Sequence, residues 1–342
     1  MNKRLLGILQ YVFFIGLAVF FVWLSLRGLN EEKWQELKRA LHRAHYWLLA
    51  PVLTLLGLSH WFRAMRWRQL IEPMGYKPSK ANTFLGVMIG YFVNLGAPRF
   101  GEVVKCTILA RYEKVPAEKL VGTIVAERAV DVICLVLVFA LALSLQFDVI
   151  NSLMVNILYP LFHNANGKMS WRKIFIVVGI CLIIFFTVRY LLVRLAHINF
   201  VQRVSGILAG VWHGLTTIRY LKNKPLFFLN TVAIWSLYLF TTWVGFFALR
   251  ETSHLTLTDA LTVLAMGSIG MIVSPGGIGA YALFVQETVA FYDIIKEPYG
   301  QALGWLLWFG QFISFILFGV ISFILLPRIN RTPHAKPAGI EP

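Results

Sequence analysis

The 342-residue chain is 58% hydrophobic and carries 32 Lys and Arg against 16 Asp and Glu, a net charge of +16. A mean hydropathy of +0.68 excludes an ordinary soluble domain. The basic residues fall between long apolar runs, so the partner they imply is an anionic bilayer face and not nucleic acid.

In chain order, Lys3-Arg4 precedes an apolar run over 5–26. That run is too long for a signal-peptide core and lacks a small-x-small cleavage site, so it reads as a retained anchor. Segment 31–45 is amphipathic, with Trp34, Leu37 and Leu41 on one face and Lys33, Lys38, Arg39 and Arg43 on others. This pattern suits a helix lying in the membrane interface. Full spans are expected at about 46–64, 120–147, 174–194, 226–249 and 303–326, in addition to 5–26. A second amphipathic segment, 200–222, repeats Val204, Ile207, Leu208, Val211, Leu215 and Ile218 at helical spacing. Residues 327–342 read as a disordered polar tail.

Two segments, about 83–112 and 258–292, are apolar but interrupted. The first breaks at Gly96-Ala97-Pro98-Arg99-Phe100-Gly101, after Asn94, and the second at Ser274-Pro275-Gly276-Gly277-Ile278-Gly279. Gly and Pro break helices, and unwound backbone at membrane depth must be buried in protein or line a wet cavity. Paired interruptions in two halves of a membrane protein point to a transport site. The fold expected is therefore an all-α polytopic bundle of about six full spans plus two re-entrant helical hairpins, forming one domain over 1–326. If both hairpins cross instead, the spans number eight. No internal repeat is visible beyond the two knots, so an inverted repeat rests on them alone.

Positive-inside counting gives 21 Lys and Arg on the side of the N-terminus and 10 on the other, which places both termini in the cytoplasm. Five basic residues in 27–45 fall on the wrong side of that assignment.

Charges inside a span are costly and face a bundle interior or an aqueous cavity. Glu127 and Asp131, four apart, share a helical face, and Arg128 and Asp131 are spaced to pair. They line a headgroup pathway, with Arg128 attracting phosphate, or form a lock against the first hairpin. After the first knot, Arg99, Glu102 and Lys105 follow, and Gly101 with the next helix start offers free N–H groups to an anion. The alternative is that Arg99 snorkels to lipid phosphates. The uncharged second knot offers either an amide nest for an anion or a plain turn, and its glycines favour close backbone approach by a helix or a lipid.

Cys106, Cys134 and Cys181 show no ligand spacing and read as buried hydrophobes. His60, His213 and His254 are isolated, and Glu287 faces either a cavity or water. No metal set, cofactor fingerprint or nucleophile motif appears.

Pro98-Arg99-Phe100-Gly101-Glu102, Glu127-Arg128-Ala129-Val130-Asp131 and Pro275-Gly276-Gly277-Ile278-Gly279, in this order, resemble the lysylphosphatidylglycerol synthase transmembrane (flippase-like) family, of the stand-alone UPF0104 type. The resemblance covers about 5–326 and implies a bundle with two re-entrant hairpins that moves lipids between leaflets. It carries the pathway role to Arg99, Gly101, Glu102, Glu127, Arg128, Asp131 and the Gly-rich knot. Many members place a Glu shortly after the second knot, where this chain has Ala280-Tyr281-Ala282. That departure argues against a lysyl-lipid substrate. Only a short tail follows Leu326, so synthase activity is expected to be absent. The expected protein is a non-enzymatic flippase or scramblase of the inner or plasma membrane. It would move an anionic phospholipid or a polyprenyl-phosphate-linked lipid without a cofactor. Membrane lipids are its expected partners, with a homo-oligomer or a lipid-modifying enzyme as further ones. A non-transporting scaffold and an integral-membrane transferase are the alternatives.

Overall fold

The computed structural model describes residues 3–97, 100–147, 170–171, 179 and 218–330, with side chains from residue 15. Pro98, Arg99, Cys181, His213, the expected span 174–194, most of the amphipathic segment 200–222 and residues 331–342 lie outside the described residues.

Ten α-helices and no strand occur among the described residues. α1 (Lys3–Leu26), α3 (Leu49–Ile71), α6 (Ala117–Leu145), α7 (Lys224–Phe246) and α10 (Gln301–Ile329) are the long ones. α6 and α10 have 29 residues each, about 43 Å at 1.5 Å per residue, against a hydrocarbon core of about 30 Å. α3, α6, α7 and α10 are long and apolar enough to cross a membrane.

The two interrupted segments fold as antiparallel pairs. The first joins α4 (Lys80–Gly96) to α5 (Phe100–Glu113), and the second joins α8 (Leu257–Val273) to α9 (Ala280–Val289). At 17, 14, 17 and 10 residues, their arms are about 15–25 Å long, too short to span individually. Gly90 and Gly101 let α4 and α5 meet backbone to backbone, because a Cβ at Gly101 would overlap the Gly90 carbonyl oxygen. Gly267 and Gly270 do the same for α8 against Tyr281 of α9.

The hairpins enter from opposite ends of the bundle. At the base of the first, Asn82 donates to Glu113 at 2.6 Å and exchanges bonds with Asn330, at the end of α10, at 2.9 and 2.7 Å. α6 begins at this base and runs to the base of the second. There Gln146 donates to Asp259 at 2.5 Å and accepts from Thr262 at 2.8 Å and from Tyr292. Thr256 and Asp259 close a reciprocal cap at the start of α8. The tips meet inside the bundle, where Asn94, Leu95 and Gly96 of one and Pro275, Gly276 and Ile278 of the other line a cavity of about 90 Å³ with Trp308 and Phe312. The inverted pairing conjectured from the two knots is thus present as packing.

Three expected boundaries change. α3 continues past residue 64 to Ile71 and carries Arg63 and Arg66 inside it. Apolar and aromatic residues keep helical spacing until Pro73 and Gly75, so the arginines do not end the helix. α10 runs through Pro327 to Ile329, so the first residues of the expected tail are helical; Asn330 donates to the Leu326 carbonyl oxygen at 2.8 Å. Residues 218–220 form a short 3-10 turn and not the end of an amphipathic helix.

The first amphipathic helix exists as α2 (Glu31–Arg43), capped by Asn30, whose side chain accepts from the Lys33 N–H at 2.9 Å. Leu37 and Ala40 are its buried residues, packed in one core with Leu249, Leu255, Ile294 and Leu303. Trp34 lies off this face, exposed beside Lys38. α2 therefore covers the end of the bundle that holds the base of the second hairpin.

This sidedness is testable by labelling. In a cysteine-free background, Glu118→Cys at the start of α6 and Ile295→Cys beyond α9 should react with a membrane-impermeant thiol reagent from opposite faces. Labelling of both from one face would refute the opposed hairpins.

Candidate headgroup site

Arg63 and Arg66 lie one turn apart on α3, Glu127 and Asp131 one turn apart on α6, and Lys105 projects from α5. One guanidinium nitrogen of Arg63 bridges both carboxylates, 3.1 Å from Glu127 and 2.7 Å from Asp131. Arg66 donates to Asp131 at 2.5 Å and lies 3.9 Å from Glu127. Lys105 Nζ holds the other Glu127 oxygen at 3.0 Å and sits 4.6 Å above the Trp67 ring. Trp67 is fixed in turn by donating to Thr123 at 2.9 Å. Tyr238 of α7 accepts from Arg63 at 3.4 Å.

The side chains of Arg66, Glu127 and Lys105 are 0%, 2% and 5% exposed. An unpaired ion at such a depth costs several kcal/mol, so the pairing is what makes the cluster tolerable. It is not neutral: three cations face two carboxylates. Nε of Arg63 and both Nε and one terminal nitrogen of Arg66 are buried with no hydrogen-bond partner. Chemically, this is a set of preoriented donors with one positive charge in excess, which suits a phosphate or carboxylate oxygen.

Arg128 points elsewhere. It donates to Glu102 through two nitrogens, Nε at 3.1 Å, in a half-exposed pair that joins α6 to the first turn of α5. The spacing of Arg128 and Asp131 suggested a pair between them, but the longer reach across helices wins, since Asp131 is saturated by Arg63 and Arg66.

The knots are largely self-satisfied. The Gly101 N–H, expected to be free for an anion, donates to Asn94 Oδ1 at 2.8 Å, and the Phe100 N–H to the Ala97 carbonyl at 3.1 Å. In the second knot Gly276, Gly277 and Gly279 all have positive φ. The Gly277 and Ala280 amides donate within the knot at 3.0 and 2.8 Å. Ser274 Oγ donates to the Ile278 carbonyl at 3.0 Å, and Trp308 Nε1 to the Gly276 carbonyl at 2.8 Å. The close approach expected at these glycines comes from a helix, since a Cβ at Gly279 would meet the backbone of Phe21 and Val22 in α1. Pro275 opens the knot as its first turn residue. Ala280, Tyr281 and Ala282 are buried, and Gly304 of α10 packs on the Ala282 backbone. An acidic side chain there would have no room.

The structure thus brings together Lys105, Glu127 and Asp131, places Glu102 and Arg128 beside them, and puts Asn94, Ser274, Pro275, Gly276, Gly277 and Gly279 at the knots. Arg63, Arg66, Trp67 and Tyr238 were not foreseen. The signal for the first two was present, as arginines three apart in an unbroken helical pattern. His60 is buried 3.3 Å from Ser314 and between the Tyr91 and Phe315 rings. Glu287 pairs with Lys296 at the rim. No group of three metal-ligating side chains occurs among the described residues.

The lysylphosphatidylglycerol synthase transmembrane region matches residues 8–292. The chain belongs to that family. Within it, this chain is 32% identical over 89 residues to a UPF0104 membrane protein of Methanocaldococcus jannaschii, a match spanning 25% of this chain and 26% of that protein. No solved structure matches. The family stretch contains both hairpins and the whole charged cluster, and it ends before α10. Membership makes this a membrane domain with a lipid-related role.

Removal of Glu127 should separate buried from exposed pairing. Glu127→Gln leaves Arg63 and Lys105 short of a counter-charge and should cost about 3–5 kcal/mol of stability. Glu102→Gln breaks only the half-exposed pair and should cost under about 1 kcal/mol. Denaturant unfolding in detergent micelles checks both; equal losses would contradict the burial argument.

Proposed function

We propose that the protein moves an anionic, phosphate-bearing lipid between leaflets, its headgroup passing through the bundle interior while its acyl chains stay in the bilayer. The observation that carries this reading is the cationic excess of the buried cluster, with its unpartnered guanidinium nitrogens. A purely structural lock needs balanced charge and gains nothing from spare donors inside a membrane. The opposed hairpins support the same reading, because two half-depth elements meeting mid-bundle offer a path from either face once one of them shifts. The pair between Glu102 and Arg128, half-exposed at the rim of the first hairpin, is the contact that such a shift would break.

On this reading the protein performs no bond chemistry, sits in an inner or plasma membrane, and has both termini in the cytoplasm. Arg63, Arg66 and Lys105 were among the 21 charges counted on the cytoplasmic side, and their burial in ion pairs removes them from that count without reversing its sign. A phosphodiester or polyprenyl phosphate fits the spare donors, whereas a lysyl headgroup would add a cation to an already cationic site.

The test is transbilayer movement in proteoliposomes with headgroup-labelled lipids. Phosphatidylglycerol should move faster than in protein-free vesicles. Arg66→Lys, which keeps the charge but loses the planar fork, should slow it by about tenfold with an unchanged circular dichroism spectrum. No movement of any lipid by correctly inserted protein would sink the proposal in favour of a scaffold.

A further inference from the structure

A second basic feature lies at the opposite end of the molecule. Between the C-terminal half of α2 and the loop joining α7 to α8 is an open cleft of about 440 Å³, lined by Arg39, Arg43 and Arg250 with His45, Glu36 and Glu251. Its walls are fixed. The His45 N–H donates to the Ala248 carbonyl at 2.9 Å, and the His45 ring nitrogen Nδ1 lies 3.1 Å from the Phe247 carbonyl. Below it, Leu37, Ala40, Ala44, Leu249 and Leu255 belong to one core.

The arginines are held apart from the carboxylates. Among the described residues none of the three has an acidic oxygen within 4.0 Å, although Glu36 and Glu251 share the cleft. Only Arg39 makes a side-chain bond, from Nε to the Gln35 carbonyl at 3.4 Å. Three guanidinium groups therefore converge on one cavity with their terminal donors unused. The neighbouring basic residues are occupied: Lys33 pairs with Glu297 at 3.0 Å, Lys38 lies over Trp34 and Arg27 over Trp23.

We propose that this cleft binds a phosphate group, with Arg39, Arg43 and Arg250 as its ligands. Guanidinium forks match phosphate oxygens, and the cavity is large enough for a phosphoglycerol or sugar-phosphate unit. Glu36 and Glu251 are left to accept from hydroxyl or ammonium groups attached to that phosphate. The cleft sits at the base of the second hairpin, whereas the buried cluster lies toward the base of the first. If the protein moves lipids as proposed above, the two sites hold the headgroup at opposite faces. The phosphate site itself does not depend on that reading. It also accounts for basic residues in 27–45 on the face where the positive-inside rule disfavours them.

The experiment measures binding to the purified full-length protein in detergent, using inorganic phosphate, glycerol 1-phosphate, phosphatidylglycerol and, as a phosphate-free control, diacylglycerol. Phosphatidylglycerol should bind more tightly than diacylglycerol, and the double variant Arg43→Gln/Arg250→Gln should weaken it by about tenfold, equivalent to about 1.4 kcal/mol. Both side chains are exposed, so the thermal midpoint should not change. Glycerol 1-phosphate or inorganic phosphate binding as tightly, with the same loss in the variant, would identify a soluble phosphate as the ligand; binding of the lipid alone would identify a headgroup. Unchanged affinity for every phosphate probe in the double variant would overturn the site. Binding lost in the variant, together with no lipid movement by the wild type in vesicles, would retain the site and remove the transport reading.

Discussion

The arrangement hangs on one buried carboxylate. Glu127 is held from one side by Arg63 of α3 and from the other by Lys105 of α5, so a single side chain of α6 ties a long helix to a re-entrant arm. In a medium with no water to stabilise a stray charge, each of these groups requires the others. That requirement fixes the depth of the first hairpin and the rotation of α6, which in turn turns Asp131 toward Arg66 and Arg128 toward Glu102.

A second constraint is the backbone itself. Helices broken within the bundle leave N–H and C=O groups that lipid cannot satisfy. The protein answers with short-range partners: Asn94 closes the first knot, while Ser274 and Trp308 close the second. Glycines do the geometric part, by letting α1 lie on Gly279 and α4 cross α5 at Gly90 and Gly101. The resulting tips are compact enough to meet across a 90 Å³ cavity. The path from one face to the other is thus built from two half-length elements, each anchored at its own end of the bundle.

Charge is distributed unequally along that axis. Toward the first hairpin it is buried, networked and only slightly in excess; at the far end it is open to solvent and unpaired within the protein. A bundle that only needed to be stable would have neither the spare donors of Arg66 nor the separated arginines above α2. Both features are understandable in a protein that handles phosphate-bearing lipids.

Much of this was legible in the residues. Hydropathy and length gave the long helices because apolar burial in a bilayer is a local, additive property, and Gly and Pro marked both hairpins because they act on the backbone at their own positions. The sequence also singled out Glu127 and Asp131, since intramembrane carboxylates are rare. What it did not determine was partnership. Arg63 and Arg66 read as the end of a span because a charge in isolation looks like a boundary, and only the neighbouring α6 makes them interior residues. Arg128 was matched to Asp131 by spacing, yet pairing followed the contacts between helices. Whether a glycine receives a lipid or a helix, and whether an amide is free or capped, depends equally on what packs against it. Element type, membrane residence and the position of the breaks were therefore set by the sequence alone. The ion-pair network, the opposed meeting of the hairpins and the cleft beside α2 were decided by tertiary structure, because each depends on distances between residues far apart in the chain.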